Sequence, residues 1–243
     1  TRIFGRGGAI AVNKHAQVNI LNSIFSKNVA DLHGGGIFGT TRVNLNIGAS
    51  QFVENKAFGG VGGAIYVTEQ SALFLLQSEL KYNTAYPDGG GLAAAYNVKV
   101  YIQDCLIYGN VGGVRGGGIH FLNLHQKAVV TNTKIYSNVA AYDGGGIFAR
   151  SSGTKVYLQD SFFVNNSANE GRGGAVHIQD SASLYLIDSY FHGNNINGDG
   201  KGDDIGLLIG DNAGAFVINQ NKQNVSMLKF NTIEDGKSAV KSC

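Results

Sequence analysis

Ile135-Tyr136-Ser137-Asn138, followed by Gly145-Gly146-Ile147, is the stretch that decides the fold, because the chain carries its pattern seven times. The glycine pairs with their apolar followers are Gly7-Gly8-Ala9, Gly35-Gly36-Ile37, Gly62-Gly63-Ala64, Gly90-Gly91-Leu92, Gly117-Gly118-Ile119, Gly145-Gly146-Ile147 and Gly173-Gly174-Ala175. Their second glycines recur every 27 or 28 residues. A large apolar residue three places before an asparagine keeps step with them: Phe25/Asn28, Phe52/Asn55, Leu80/Asn83, Ile107/Asn110, Ile135/Asn138, Phe163/Asn166 and Phe191/Asn194. The asparagine always precedes the next second glycine by eight residues. The one-residue wobble is therefore expected in the turn after the glycine strand.

Reading back from each asparagine gives columns. Ten and eight places before it every residue is apolar, as in Leu45 and Ile47 or Val156 and Leu158. A spacing of two is the period of a strand with one buried face. Five places before it stand Ser23, Ser50, Ser78, Cys105, Thr133, Ser161 and Ser189, small enough for a tight inner corner. Each repeat reads as three short strands with no helical period. A repeat of this length predicts an all-β fold, a right-handed single-stranded parallel β-helix of seven regular coils. The asparagines Asn28, Asn55, Asn83, Asn110, Asn138, Asn166 and Asn194 are predicted to stack as a hydrogen-bonded ladder. Residues 1–205 form the repeat region. In an eighth, degenerate coil Gly202-Asp203-Asp204-Ile205 replaces the glycine pair, and residues 206–243 are expected to form a C-terminal cap or irregular extension.

Composition narrows the classes. The 243 residues include 36 glycines and one proline, with 43% hydrophobic and 15% charged residues, which is neither a disordered linker nor a highly charged chain. The net charge is +2 and the basic residues are scattered, so no nucleic acid is expected as partner. No apolar run is long enough for a membrane span. Cys105 falls in the core column and Cys243 is the last residue, so no disulfide is expected between them.

The paired motifs Gly-Gly-[Ala/Ile/Leu] and [Phe/Ile/Leu]-x-x-Asn resemble the repeats of chlamydial polymorphic outer-membrane proteins, over about residues 5–205. That resemblance implies a surface-displayed β-helical passenger, extracellular or on the cell surface, that adheres to other cells or surfaces. The first coil begins by Gly7 with no cap before it, and an open β-helix end exposes unpaired backbone. The expected partner there is another copy of the chain or more of a longer one.

Parallel β-helices also include polysaccharide lyases and hydrolases of the pectin-lyase-like kind, which is the alternative reading. Six places before each asparagine stand Asn22, Ala49, Gln77, Asp104, Asn132, Asp160 and Asp188. Asp160 and Asp188 would sit one coil, about 5 Å, apart, a separation a retaining glycosidase can use. Neutral members of the column and the even coil length favour corner residues instead, and no catalytic residue is assigned. Asp88, Arg115 and Asp143 should stack as a structural charge ladder, and His120 and His177 are read as structural. Asn195-Ile196-Asn197-Gly198-Asp199-Gly200 resembles the start of a calcium loop, but Gly206 stands where its closing acid is due, so no cofactor is assigned, with calcium kept as the alternative because Asp203 and Asp204 stand close by.

The strand after the glycines reads apolar on both alternations: Ala9, Ile37, Ala64, Leu92, Ile119, Ile147, Ala175 on one, Ile10, Phe38, Ile65, Ala93, His120, Phe148, Val176 on the other. A sheet buried on both faces reads this way. Ile37, Phe38, Ile65, Ile119, Ile147 and Phe148 are therefore candidate contact residues for a covering partner. Nine places before the asparagines, Phe74, Tyr101, Tyr157 and Tyr185 form a second candidate surface for a protein or glycan. The leading expectation is an extracellular structural or adhesive β-helix, an adhesin passenger or a filament subunit.

Overall fold

The computed structural model describes residues 5–196 in full, together with the backbone of the strands Arg2–Ile3, Ile205–Leu207, Gly214–Ile218, Phe230–Thr232 and Val240–Ser242. Among these residues every regular element is a strand, every strand pairing is parallel, and no helix is long and apolar enough to cross a membrane. The chain winds as a right-handed β-solenoid in which each coil adds one strand to each of four sheets. A four-residue strand follows the glycines, as in Ile37–Thr40, and builds the glycine sheet. A five-residue strand such as Asn44–Gly48 builds the broad sheet, and a three-residue strand such as Gln51–Val53 builds the short sheet. A two-residue strand such as Lys56–Ala57 follows each asparagine. Three strands per coil are legible from alternation; the fourth is too short to alternate. The glycine and broad sheets run on into Ile205–Leu207 and Gly214–Ile218, which pair in register with Val176–Ile178 and Ser183–Ile187. A separate cap over 206–243 remains a proposal, since most of that segment lies outside the described residues.

Pairing corrects the register of the glycine strand. Ile10, Ile37, Ile65, Leu92, Ile119, Ile147 and Val176 are successive partners and form one column. Counting eight residues from each asparagine had split this column across both alternations. The reason is that four coils carry three glycines and three carry Gly-Gly-Ala. Two turns after the glycine strand, at 123–126 and 151–154, do hold an extra residue, as expected. In the coils of Gly62 and Gly173 it lies instead between asparagine and glycine.

The glycines have separate tasks. The first of each set turns the chain with positive φ, 64° at Gly34 and 62° at Gly116. The next has no room for a side chain: a methyl group on Gly117 would collide with the carbonyl oxygen of Gly145 and the carbonyl group of Val139, both from the following coil. The third position accepts Ala64 and Ala175, which are fully buried.

The asparagine ladder is present and complete in the core. The Asn110 Oδ1 accepts from the backbone N–H and the Nδ2 of Asn83, at 2.9 Å each. Its own Nδ2 donates to the Leu80 carbonyl and to Asn138 Oδ1, at 2.9 Å each. All four hydrogen-bonding positions of the amide are thus filled, in a residue with no exposed surface. Asn55, Asn83, Asn138 and Asn166 repeat the pattern.

The small-residue corner is a second relay rather than only a steric fit. The Ser50 N–H donates to Ser78 Oγ at 3.1 Å, and the Ser78 hydroxyl donates to its own strand at the Leu76 carbonyl, 2.7 Å. Cys105 takes the same place: its sulfur accepts from the Ser78 N–H at 3.4 Å and its thiol donates to the Gln103 carbonyl at 3.1 Å. Burial pushes the thiol up to about 11, so it stays protonated and can donate.

Two variants measure these constraints by urea unfolding. Asn110→Ala strands the donors of Asn83 and the Leu80 carbonyl in the core and should lower stability by at least about 3 kcal/mol; a loss below about 1 kcal/mol would show that the ladder is not a main support. Gly117→Ala should cost about 1–3 kcal/mol through overpacking, more than Gly118→Ala, whose methyl meets one backbone atom, the Gly146 carbonyl oxygen at 2.7 Å, where that on Gly117 meets three within 2.5 Å. Equal costs would contradict the assigned register.

Candidate interaction surface

The glycine sheet is buried on both faces, but by the chain itself. Ile37, Ile65, Ile119 and Ile147 point into the core with no exposed surface, so they form no outer contact surface. Phe38 and Phe148 do face out of the sheet, in the column Phe38, Tyr66, Ala93, His120, Phe148, His177. They too are buried, Phe38 at 5% exposure and Phe148 at none. The segment that leads to each positive-φ glycine doubles back over the strand. A methyl group on Gly144 would lie 2.8 Å from the Phe148 Cβ, Val61 packs with Phe38 and Tyr66, and the Arg115 guanidinium lies 5.3 Å from the Phe148 ring centroid. Burial on both sides is correctly signalled by the sequence, but the cover is intramolecular, and sequence alternation cannot distinguish the two.

Under this cover lies a polar cluster. The expected ladder of Asp88, Arg115 and Asp143 is present: the Arg115 N–H donates to Asp88 Oδ1 at 2.8 Å, and its Nε lies 3.4 Å from Asp143 Oδ2. Beneath it His120 Nδ1 lies 3.5 Å from Asp88 Oδ2 and His177 Nδ1 lies 3.4 Å from Asp143 Oδ1. Phe148 separates the two imidazoles, edge-on to His120 at 4.9 Å and tilted against His177 at 5.3 Å. His120 is fully buried and neither of its ring nitrogens has a hydrogen-bond partner. Burial, with Arg150 and Arg115 nearby, holds its pKa well below the ordinary value. Burial also lowers His177, against the pull of Asp143, and raises Asp88, against Arg115.

Neutral histidines in the fold and protonated ones in the unfolded chain give a definite sign. The unfolded state takes up protons first, so stability should fall as pH drops below about 6.5, by up to about 1.4 kcal/mol per pH unit for each histidine. Asp88 acts oppositely, because its raised pKa favours the fold as pH falls through its folded value toward the ordinary carboxylate value, which offsets part of the histidine effect. Urea midpoints should therefore decline between about pH 6.5 and 5, and His120→Phe should flatten that decline. A pH-independent midpoint over this window would contradict the neutral, buried assignment.

The broad sheet carries a half-exposed row. Phe74, Tyr101, Val129, Tyr157 and Tyr185 are successive register partners. Phe74 stacks on Tyr101 with centroids 4.9 Å apart and 6° between planes, and Tyr157 on Tyr185 at 4.4 Å and 9°. One border of the row is Lys99, Lys127 and Lys155, in register and exposed. The other is Gln103, Thr131 and Gln159.

The aspartates considered for catalysis sit at the next corner. Asp104, Asp160 and Asp188 have φ of 54°, 48° and 45°, as do Asn22, Ala49, Gln77 and Asn132 in the same column. Asp and Asn tolerate this left-handed conformation better than other side chains, which accounts for their presence there. Asp104 accepts from Asn132 Nδ2 at 2.6 Å and Gln103 Nε2 at 3.0 Å, and Asp160 from Gln159 Nε2 at 3.1 Å. An open groove of about 860 Å³ lies elsewhere, along the turns between glycine and broad sheets, lined by Thr41, Arg42, Glu69, Gln70, Tyr96, Asn97, Leu124 and His125. Among the described residues no group of three or more His, Cys, Asp or Glu is placed to hold a metal. Of the calcium-loop resemblance only Asn195 and Ile196 are described before the gap, as a two-residue strand; Asn197, Asp199, Asp203 and Asp204 lie outside the described residues.

Four parallel sheets wound on one axis, with core columns repeated coil by coil, define a right-handed parallel β-helix. The family model described as right handed beta helix region matches residues 49–241, and the chain belongs to that family. The Chlamydia polymorphic membrane protein repeat matches residues 22–40. The chain is similar to a probable autotransporter, YfaL of Escherichia coli K12, at 35% identity over 88 residues, 34% of this chain and 7% of that relative. The chain thus matches only a small part of that relative's length. No solved structure matches the chain.

Proposed function

We propose that this chain is part of a surface-displayed β-helical passenger, an extracellular stalk that works through contacts made by its flank. The observation that carries this reading is the regularity of the stack: from Gly7 to Ile196 the coils follow in register, with no long insertion to wall a reaction cleft. The match to the polymorphic membrane protein repeat and the likeness to a probable autotransporter support it. Adhesion follows from the half-exposed aromatic row on the broad sheet, where rigid amphipathic side chains suit recognition of a protein or glycan. The backbone edge of the first coil, at Ile10–Asn13 and Gln17–Leu21, is proposed to stack on a further coil of a longer chain or of another copy.

Fused to an autotransporter translocation barrel in Escherichia coli, the chain should appear on intact cells, be shaved off by added protease, and make the cells adhere to glycan- or matrix-coated surfaces. Retention in the periplasm, or display without adhesion, would overturn the proposal. So would turnover of polysaccharide abolished by Asp160→Asn or Asp188→Asn, which would establish the enzyme alternative.

A further inference from the structure

The half-exposed aromatic row is interrupted at one coil, and the interruption has the form of a binding notch. Tyr101 is stacked on Phe74, so its free ring face looks along the axis toward Val129. Tyr157 is stacked on Tyr185, so its other face looks back toward Val129, with the Lys127 ammonium from the Val129 coil lying over the ring 6.0 Å from its centroid. The two tyrosines therefore stand on either side of one coil, with the small Val129 between them as floor. Two coil spacings put them roughly 9–10 Å apart. A ring inserted between them needs two contacts of about 3.5–4.0 Å, so a puckered saturated ring fits where a flat one would be loose.

The borders of the notch state its chemistry. Lys127 shares the coil of Val129, and its Nζ stands 6.0 Å from the Tyr157 ring centroid. Lys99 and Lys155 flank Lys127 in register, each about 4.8 Å away along the sheet. Like charges directly opposite on neighbouring strands repel. Among the described residues none of the three has a carboxylate within ion-pair distance, whereas Lys81 has Glu79 at 2.7 Å and Lys27 has Glu54 at 3.8 Å. On the opposite border Thr131 offers a hydroxyl and Gln103 and Gln159 their amide oxygens, while their Nε2 groups donate to Asp104 and Asp160 and Asn132 Nδ2 donates to Asp104. An anion is thus attracted to one border only, and hydroxyl groups are served at the other.

We infer that the notch between Tyr101 and Tyr157 binds a carboxylated pyranose of an acidic glycan, with the sugar ring between the two tyrosines and its carboxylate against Lys127. The inference rests on the contact role proposed for this flank and assigns it a ligand class. The lysine row supplies a field that an acidic polymer neutralises, and the walls confine the ring to one orientation.

The test is titration of the whole chain with hyaluronan oligosaccharides, which carry glucuronate, against neutral chitin oligosaccharides and polyglutamate. Hyaluronan alone should bind, more weakly as salt rises. Lys127→Gln should weaken binding about ten-fold, and Val129→Tyr, which fills the notch with the residue its neighbours carry, should abolish binding while leaving the urea midpoint at or above that of the parent. Lys134→Gln, on the short sheet, should change nothing. Equal binding of chitin oligosaccharides or polyglutamate, no binding of hyaluronan, or unimpaired binding by a folded Val129→Tyr chain would overturn the inference. The two proposals fail separately. Displayed cells that adhere equally with Val129→Tyr would refute the notch and leave the passenger role. Purified chain that binds hyaluronan but is never displayed would do the reverse.

Discussion

The structure depends on one requirement: an amide buried in each coil must meet its counterpart in the next. Asn110 has no contact with water and satisfies all four of its hydrogen-bonding positions through the coils on either side. An unmatched amide there would carry its full desolvation cost. Coil length is consequently free to vary only where no such side chain is committed. Extra residues occur before the glycines of two coils and in two turns after the glycine strand, and none occurs between the broad strand and the asparagine. The serine and threonine corner imposes the same discipline one strand earlier, with Cys105 as a sulfur member of an otherwise hydroxyl series.

These ladders divide the molecule into an inside that is fixed and outsides that are free to differ. The broad sheet keeps Val100, Ala128 and Val156 inward, while its outer face changes from asparagine in the first coils to aromatic residues and lysines later. The glycine sheet has no such freedom, since the chain's own return segments lie across it. Its outward residues therefore became a second, smaller core, with imidazoles and aspartates included. The broad sheet keeps an outer face that no return segment of the described chain covers.

The fold could be read from the sequence because two motifs, seven times in phase, leave little alternative to coils of equal length. The asparagine ladder and the Phe74, Tyr101, Tyr157 and Tyr185 row could be read for the same reason: an in-register stack turns spacing directly into contact. The glycine strand resisted, because glycine triplets and glycine-glycine-alanine sets look alike when counted from the asparagine. Only pairing shows that Ile147 meets Val176 and not Ala175. Nor can alternation say who covers a buried face, so Phe38 and Phe148 looked like sites for a partner although their cover comes from a few residues upstream. The burial of His120 and His177 had no signal of its own, since it arises from loops whose path depends on positive φ at Gly116 and Gly173.

The amide row also has an arrow. Every Oδ1 looks toward the preceding coil, and every Asn backbone N–H looks toward the following one. At this position the two sides of a coil are chemically unlike: toward the preceding coil it presents the Oδ1 acceptor and one Nδ2 donor, toward the following coil the backbone N–H and the other Nδ2 donor. Stacking coil on coil in one sense continues this direction, each Oδ1 meeting the donors of the coil before it.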